Sequence, residues 1–191
     1  FICTCERYVY MADAEGKLIP AREHNEMCLQ ANLELRERFR PILHAALKGL
    51  ETSHPELEWR IATTDPLSLE TPDSAAMDAL VPHISGLAEP GVAIQRAGRY
   101  LRFSDARFSK GTALRFVAER WQVPQRNLFL MGDGHNDLDA FQLFPQAFCA
   151  APADAHPEVA AWLRLHGGYV SDSPGVLPAL RHWVDSLGLS R

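Results

Sequence analysis

The sequence predicts an α/β protein: a Rossmann-like parallel-sheet core with an inserted α+β module. Three observations predict it. From Ser109 onward, helical and strand-like segments alternate as α-β-α-β-α-β-α, an order that implies right-handed crossovers and a parallel sheet with helices on its faces. Residues 20–98 instead mix hairpins with helical spacing. Finally, Leu128-Phe-Leu-Met131 is a continuous apolar run of the kind buried on both faces of a parallel sheet, and Gly132-Asp133-Gly134 follows it at once. The division expected is therefore 1–19 with 99–191 as a partial core, and 20–98 as the insertion.

Taken in order, Phe1 to Tyr10 is rich in β-branched and aromatic residues and predicts a strand. Met11 to Lys17 predicts a turn, and Leu18-Ile19 the returning strand of a hairpin closed by Pro20. Met27, Ala31, Leu35 and Phe39 recur at i, i+4 and predict a helix from Glu23 to about Leu50, broken or restarted at Pro41. Leu57 to Thr63 alternates as a strand does, with turn chemistry at Asp65-Pro66. A short helix is expected over Ala75–His83, then a hairpin of Val92–Gln95 and Tyr100–Phe103 turning at Ala97-Gly98.

In the second half, Ser109 to Trp121 predicts an amphipathic helix with Leu114, Val117, Ala118 and Trp121 on one face. A strand over Asn127–Met131 and a short helix over Asp137–Leu143 follow. Ala147–Ala150 and Tyr169-Val170 predict small strands, while Pro157–His166 and Gly175–Leu187 predict helices.

Bulk composition narrows the function classes. An apolar fraction of 47% and a net charge of −5 fit a folded globular protein and argue against nucleic acid or an acidic membrane as the main partner. No apolar run approaches the roughly 18 residues that span a bilayer, and no signal peptide opens the chain, so a soluble cytoplasmic protein is expected. Cys3-x-Cys5 lacks the spacing of zinc or redox motifs, and free thiols in a reducing compartment are expected. The chain begins at Phe1, directly in an apolar segment, which predicts that it is cut from something longer or is a processed product.

The chemistry concentrates after the apolar strand. Ligands of open parallel sheets collect outside the carboxyl ends of the strands, and Asp133 stands two residues beyond this one. Gly132 and Gly134 permit a tight turn, and Asn136 and Asp137 bring further oxygens to the same place. Hard oxygen donors suit Mg²⁺ more than zinc. The plainer reading is a polar strand-to-helix turn with Asp137 as an N-cap. His135 has no partner His or Cys at ligand spacing, so it is expected on the solvent side or at a substrate rim. Lys110 opens a helix, where a cation is disfavoured by the dipole, which points to an anionic partner such as a phosphate or an aspartate.

Together, Ser109-Lys110-Gly111-Thr-Ala-Leu114 and Gly132-Asp133-Gly134-His-Asn136-Asp137 resemble motifs III and IV of the haloacid dehalogenase (HAD) superfamily of phosphatases. The branch they resemble has a large α+β cap (type IIB) and includes sugar-phosphate and sucrose-phosphate phosphatases. The opening Phe1 to Tyr10 with Glu15-Gly-Lys-Leu-Ile19 is similar to the strand and hairpin leading into that cap, although Cys5-Glu6 stands where Asn-Gly is usual.

The resemblance implies Mg²⁺ and a small phosphorylated substrate cleaved through an aspartyl-phosphate. It implies Asp133 as a direct Mg²⁺ ligand and Asp137 as binding or orienting the metal's shell. Asn136 would support the loop, and Lys110 would neutralise the nucleophile and a phosphate oxygen. The cap would choose the leaving group, with Arg60 and Arg99 as polar candidates. The family's nucleophile motif, D-x-D-x-[T/S], precedes the cap and does not stand before the hairpin here. Asp137-Leu-Asp139 is a literal D-x-D but helical and without the Thr, and Thr63-Thr64-Asp65 lies within the cap region. The expectation is a phosphatase whose nucleophile is not in this chain; the alternative is a catalytically inactive HAD-like binding or regulatory domain. An unrelated α/β binding module, such as a response-regulator-like or nucleotide-binding fold, is disfavoured, because no Gly-rich phosphate loop of the Walker or Rossmann kind is present.

Overall fold

The computed structural model describes residues 2–4, 7–62, 67–87 and 89–188. The expectations placed on Cys5-Glu6, Thr63-Thr64-Asp65 and Asp65-Pro66 fall outside these residues. The chain divides into two compact units, 1–109 and 110–191.

The first unit opens with an antiparallel meander of β1 (Ile2–Thr4), β2 (Tyr8–Ala12) and β3 (Leu18–Pro20). The single strand expected over 1–10 is thus two, paired with Ile2 opposite Tyr10 and Thr4 opposite Tyr8. Folding back gives each short segment a hydrogen-bonding neighbour that one long edge strand would lack. The β2–β3 turn is tied by Asp13, whose Oδ1 accepts from the amides of Glu15 (3.1 Å) and Lys17 (2.8 Å), with Gly16 at φ +80°.

Helix α1 spans Arg22–Ser53 without a break. The interruption expected at Pro41 does not occur. Glu37, whose carbonyl the proline deprives of a partner, and Pro41 itself both lie on the exposed face, so water can serve that carbonyl. The buried stripe runs through Cys28, Ala31, Asn32, Leu35, Phe39, Leu43 and Leu47. Met27, expected on that face, is 57% exposed and lies off it.

A four-stranded antiparallel sheet ordered β4-β5-β7-β6 follows, from β4 (Arg60–Ala62), β5 (Leu67–Glu70), β6 (Val92–Ala97) and β7 (Tyr100–Asp105). Helix α2 (Ser74–Ile84) is capped by Asp73, whose side chain accepts from the Ala76 amide at 2.8 Å. Leu35, Phe39, Leu43 and Leu47 of α1 and Met77, Leu80 and Ile84 of α2 share one core with Leu67, Leu69, Leu101 and Phe103 of the sheet. The boundary expected at 98/99 falls inside the β6–β7 hairpin. The division into compact units falls at 109/110, and β7 pairs with both β5 and β6 while its Leu101 and Phe103 fill this core.

The second unit is a three-stranded parallel sheet ordered β10-β9-β8, of β8 (Phe129–Met131), β9 (Phe148–Ala151) and β10 (Tyr169–Val170). It carries α3 (Lys110–Arg120), α4 (Leu138–Leu143), α5 (Pro157–Leu165) and α6 (Leu177–Ser186). The expected alternation is therefore present. Two details differ. All of β8 is half-buried rather than enclosed, because among the described residues it is an edge strand paired only with β9. Trp121 follows the end of α3 and is 50% exposed, so it does not share the buried face of Val117 and Ala118. No helix among the described residues is long and apolar enough to cross a membrane.

Candidate active-site loop

The loop at the carboxyl end of β8 is organised by one side chain. The Gly132 amide extends the pairing with β9, donating to the Ala150 carbonyl at 3.2 Å. The chain then passes through Asp133 and Gly134 into a 3₁₀ turn, His135–Asp137, that leads directly into α4. Asp137 is buried and turns its carboxylate back under the loop: Oδ2 accepts from the amides of Asp133 and Gly134, each at 3.0 Å. Two amides that the turn would otherwise leave unpaired are thereby satisfied.

The other oxygen, Oδ1, meets Lys110 Nζ at 2.5 Å. This contact explains a cation at the first turn of α3. Its anionic partner is an aspartate, and the helix end is further compensated by Asp139, whose Oδ2 accepts from the Gly111 amide at 3.0 Å. Sequence reasoning passed over Asp139. Its acid two residues after Asp137 was legible only as a literal D-x-D, whereas its function is to cap a different helix. The second oxygen of Asp139 is buried without a hydrogen bond among the described residues.

Glycines make this geometry possible by absence. A Cβ at 134 would stand 2.6 Å from Asn136 Oδ1, and one at 111 would stand 2.7 Å from Leu143 Cδ1 and 3.0 Å from the backbone of α4. Asn136 is half-buried within the 3₁₀ turn.

Lys110, Asp133, Asn136 and Asp137 are thus brought together, but on unequal terms. Both oxygens of Asp137 are engaged, one by an ammonium and one by two amides. Asp133 is exposed and presents its carboxylate at the end of the parallel strand. Mg²⁺ keeps several waters and needs only one or two protein carboxylates alongside a phosphate, so Asp133 fits it as a direct ligand. Asp137 fits as the group that fixes the loop and the lysine.

His135 is not a lone rim histidine. Its Nε2 lies 2.8 Å from Glu158 Oε2, and its ring centroid lies 4.0 Å from that of His156. In the first unit, Arg60 and Arg99 both pair with the buried Glu70, Arg99 Nη2 standing 2.7 Å from its Oε1. With Trp59, Thr71 and Pro72 they line a pocket of about 260 Å³. Cross-strand register makes the cluster: Arg60 lies opposite Glu70, and Glu70 opposite Tyr100.

Comparison with known proteins agrees with this architecture. The pattern of the haloacid dehalogenase-like hydrolase family matches residues 9–180. A phosphoglycolate phosphatase of Archaeoglobus fulgidus is 35% identical over 104 residues, covering 53% of this chain and 42% of the relative. Among solved structures, the sucrose-phosphatase of Synechocystis sp. PCC6803, in complex with sucrose and phosphate, superposes with a TM-score of 0.63 at 17% identity, covering 94% of this chain and 70% of that one. A Thermoplasma acidophilum protein superposes with a TM-score of 0.51 at 18% identity, covering 95% and 69%. At these identities the two structures show the fold.

Proposed function

The chain belongs to the haloacid dehalogenase-like hydrolase family, and on that premise we propose that it supplies the cation-binding and charge-balancing part of a phosphomonoesterase site. The substrate class is a small phosphorylated metabolite, a sugar phosphate or similar compound, and the metal is Mg²⁺. The names of the Archaeoglobus and Synechocystis relatives support this class. One observation carries the reading: Asp137 is locked by Lys110 and two loop amides, while Asp133, two residues past the end of β8, is exposed.

In such a reaction Mg²⁺ offsets the repulsion between an attacking carboxylate and the phosphate. The chain's own residues do the rest of the positioning. Asp133 holds the ion. Lys110, kept in place by Asp137, places a positive charge where the phosphate oxygens gain negative charge. Asn136 supports the turn. On this reading the attacking carboxylate is not among these 191 residues, and the D-x-D at 137–139 is not its source: Asp137 is engaged on both oxygens, and Asp139 caps α3. The module of α1, α2 and β4–β7 acts as the cap that selects the leaving group, with Arg60 and Arg99 as its polar contacts.

The test is phosphate release from sugar phosphates and phosphoglycolate in the presence of Mg²⁺. It is run with the 191-residue chain and with the product of the complete reading frame. The reading predicts turnover by the complete product and none above background by the 191 residues. Turnover by the 191 residues would place the attacking group inside them, and an inert complete product would leave a binding or regulatory domain.

A further inference from the structure

We propose that His135, His156 and Glu158 form a second cation site, distinct in chemistry from the acidic loop, that takes a divalent transition metal of the Zn²⁺ class. The three side chains converge so that one candidate ligand atom from each lies within 4.8 Å of the others. Two imidazoles and a carboxylate are the donor set of open zinc sites, with further positions left to water. Imidazole nitrogen also selects Zn²⁺, Co²⁺ and Ni²⁺ over Mg²⁺, which prefers oxygen alone.

The fold holds the three residues in register. His135 begins the 3₁₀ turn after β8, and His156 is the N-cap of α5 with Glu158 in its first turn. The His156 amide donates to the Asp133 carbonyl at 2.9 Å, which fixes the two segments against each other. Ligand atoms around a tetrahedral zinc lie about 3.3 Å apart, given bonds of about 2.0–2.1 Å. The 2.8 Å separation of His135 Nε2 and Glu158 Oε2 therefore has to open by about half an ångström, while the wider separations close. The part that moves is available: the Glu158 side chain is 73% exposed, against 21% for His135.

One contact opposes binding. His156 Nδ1 accepts from the Glu158 amide at 3.3 Å, and a neutral imidazole has a single lone pair to give. Whichever ring nitrogen ligates, that long capping contact is exchanged for the bond to the ion. The ion would then tie the Asp133 loop to α5. The proposal does not depend on the phosphatase reading, since the ion can be observed without any turnover.

The experiment titrates the 191-residue chain with Co²⁺ in a large excess of Mg²⁺, following the visible absorption of the bound ion, and then displaces it with Zn²⁺. Circular dichroism of every variant reports folding. The expected result is one Co²⁺ per chain, displaced by Zn²⁺. Glu158→Gln, His135→Asn and His156→Asn should each weaken binding by at least about tenfold, the lower end of what even indirect supports of a metal site cost. His156→Asn keeps a side-chain acceptor at the N-cap, so its loss reports the imidazole rather than the helix. Asp133→Asn should leave the titration where it is. The proposal is overturned if no Co²⁺ absorption develops, if all three folded variants titrate like the parent, or if Asp133→Asn alone abolishes the signal.

Discussion

Gly132 and Asp137 share one space: a side chain at residue 132 would begin where the Cβ and carboxyl group of Asp137 already are. The loop closes only because residue 132 has none. Gly132→Ala forces Asp137 out of its contacts with Lys110 and the two amides, and is expected to cost about 1–3 kcal/mol, the usual penalty of overpacking. Urea unfolding measures it. In the double variant Gly132→Ala/Asp137→Ala the clash is gone, so the combined loss should fall short of the sum of the single losses; strict additivity would contradict the shared space.

The Lys110–Asp137 pair makes an asymmetric prediction. Removing Asp137 strands the Asp133 and Gly134 amides as well as the ammonium, and Asp137→Ala should cost about 1–3 kcal/mol on the scale of buried groups left unsatisfied. Lys110 is 35% exposed along its side chain, so solvent screens its charge, and Lys110→Met should cost less, about 1 kcal/mol or below. Chemical denaturation of the two variants, compared side by side, checks the order. The reverse order would mean that the ion pair rather than the amides holds the loop.

Gly111 is the point of closest approach between α3 and α4. Alanine there would gain up to about 1 kcal/mol in helix propensity. Its Cβ would nevertheless meet the Ala140 Cα and the Asp139 carbonyl at 3.0 Å, backbone atoms that cannot rotate away. Gly111→Ala should therefore be destabilising, and a raised melting temperature would show that α3 shifts freely on α4.

Burial pushes the Cys149 thiol up from its ordinary value of 9.0 to about 11. The fold thus favours the neutral thiol. Its contribution to stability is complete below pH 9, where the thiol is protonated in folded and unfolded chains alike. It declines between 9 and 11, as the unfolded chain ionises first. Alkylation of Cys149 at pH 8 should be slow in the native protein and fast in urea. Equal rates would show an accessible thiolate, and Cys149→Ser should flatten the alkaline fall in stability.

How much of this was legible in the sequence depends on how far apart the cooperating residues lie. That Lys110, Asp133, Asn136 and Asp137 lie together was legible because each sits in a short contiguous motif at a strand or helix end. The parallel order of β8, β9 and β10 followed from the alternation of segments. Strand β5 was not legible: Leu67-Ser-Leu-Glu is four residues long and has only two apolar positions to mark a period, although the sheet buries all four. The continuity of α1 through Pro41 depends on which face of the helix meets water, a tertiary fact. The grouping of Arg60 and Arg99 on Glu70, and of His156 and Glu158 on His135, depends on strand register and on the placement of α5. Neither has a spacing in the chain to reveal it.

The central claim rests on Asp133, and its most direct test is a Mg²⁺ titration of phosphomonoester hydrolysis by the complete reading-frame product, with and without Asp133→Ala. The parent should show saturable dependence on Mg²⁺. The variant should lose that dependence, together with rate on the order of 10²–10³-fold, the scale of losing one group that stabilises transition-state charge. A variant that keeps the parent's rate and its response to Mg²⁺ would remove Asp133 from the site and contradict the account.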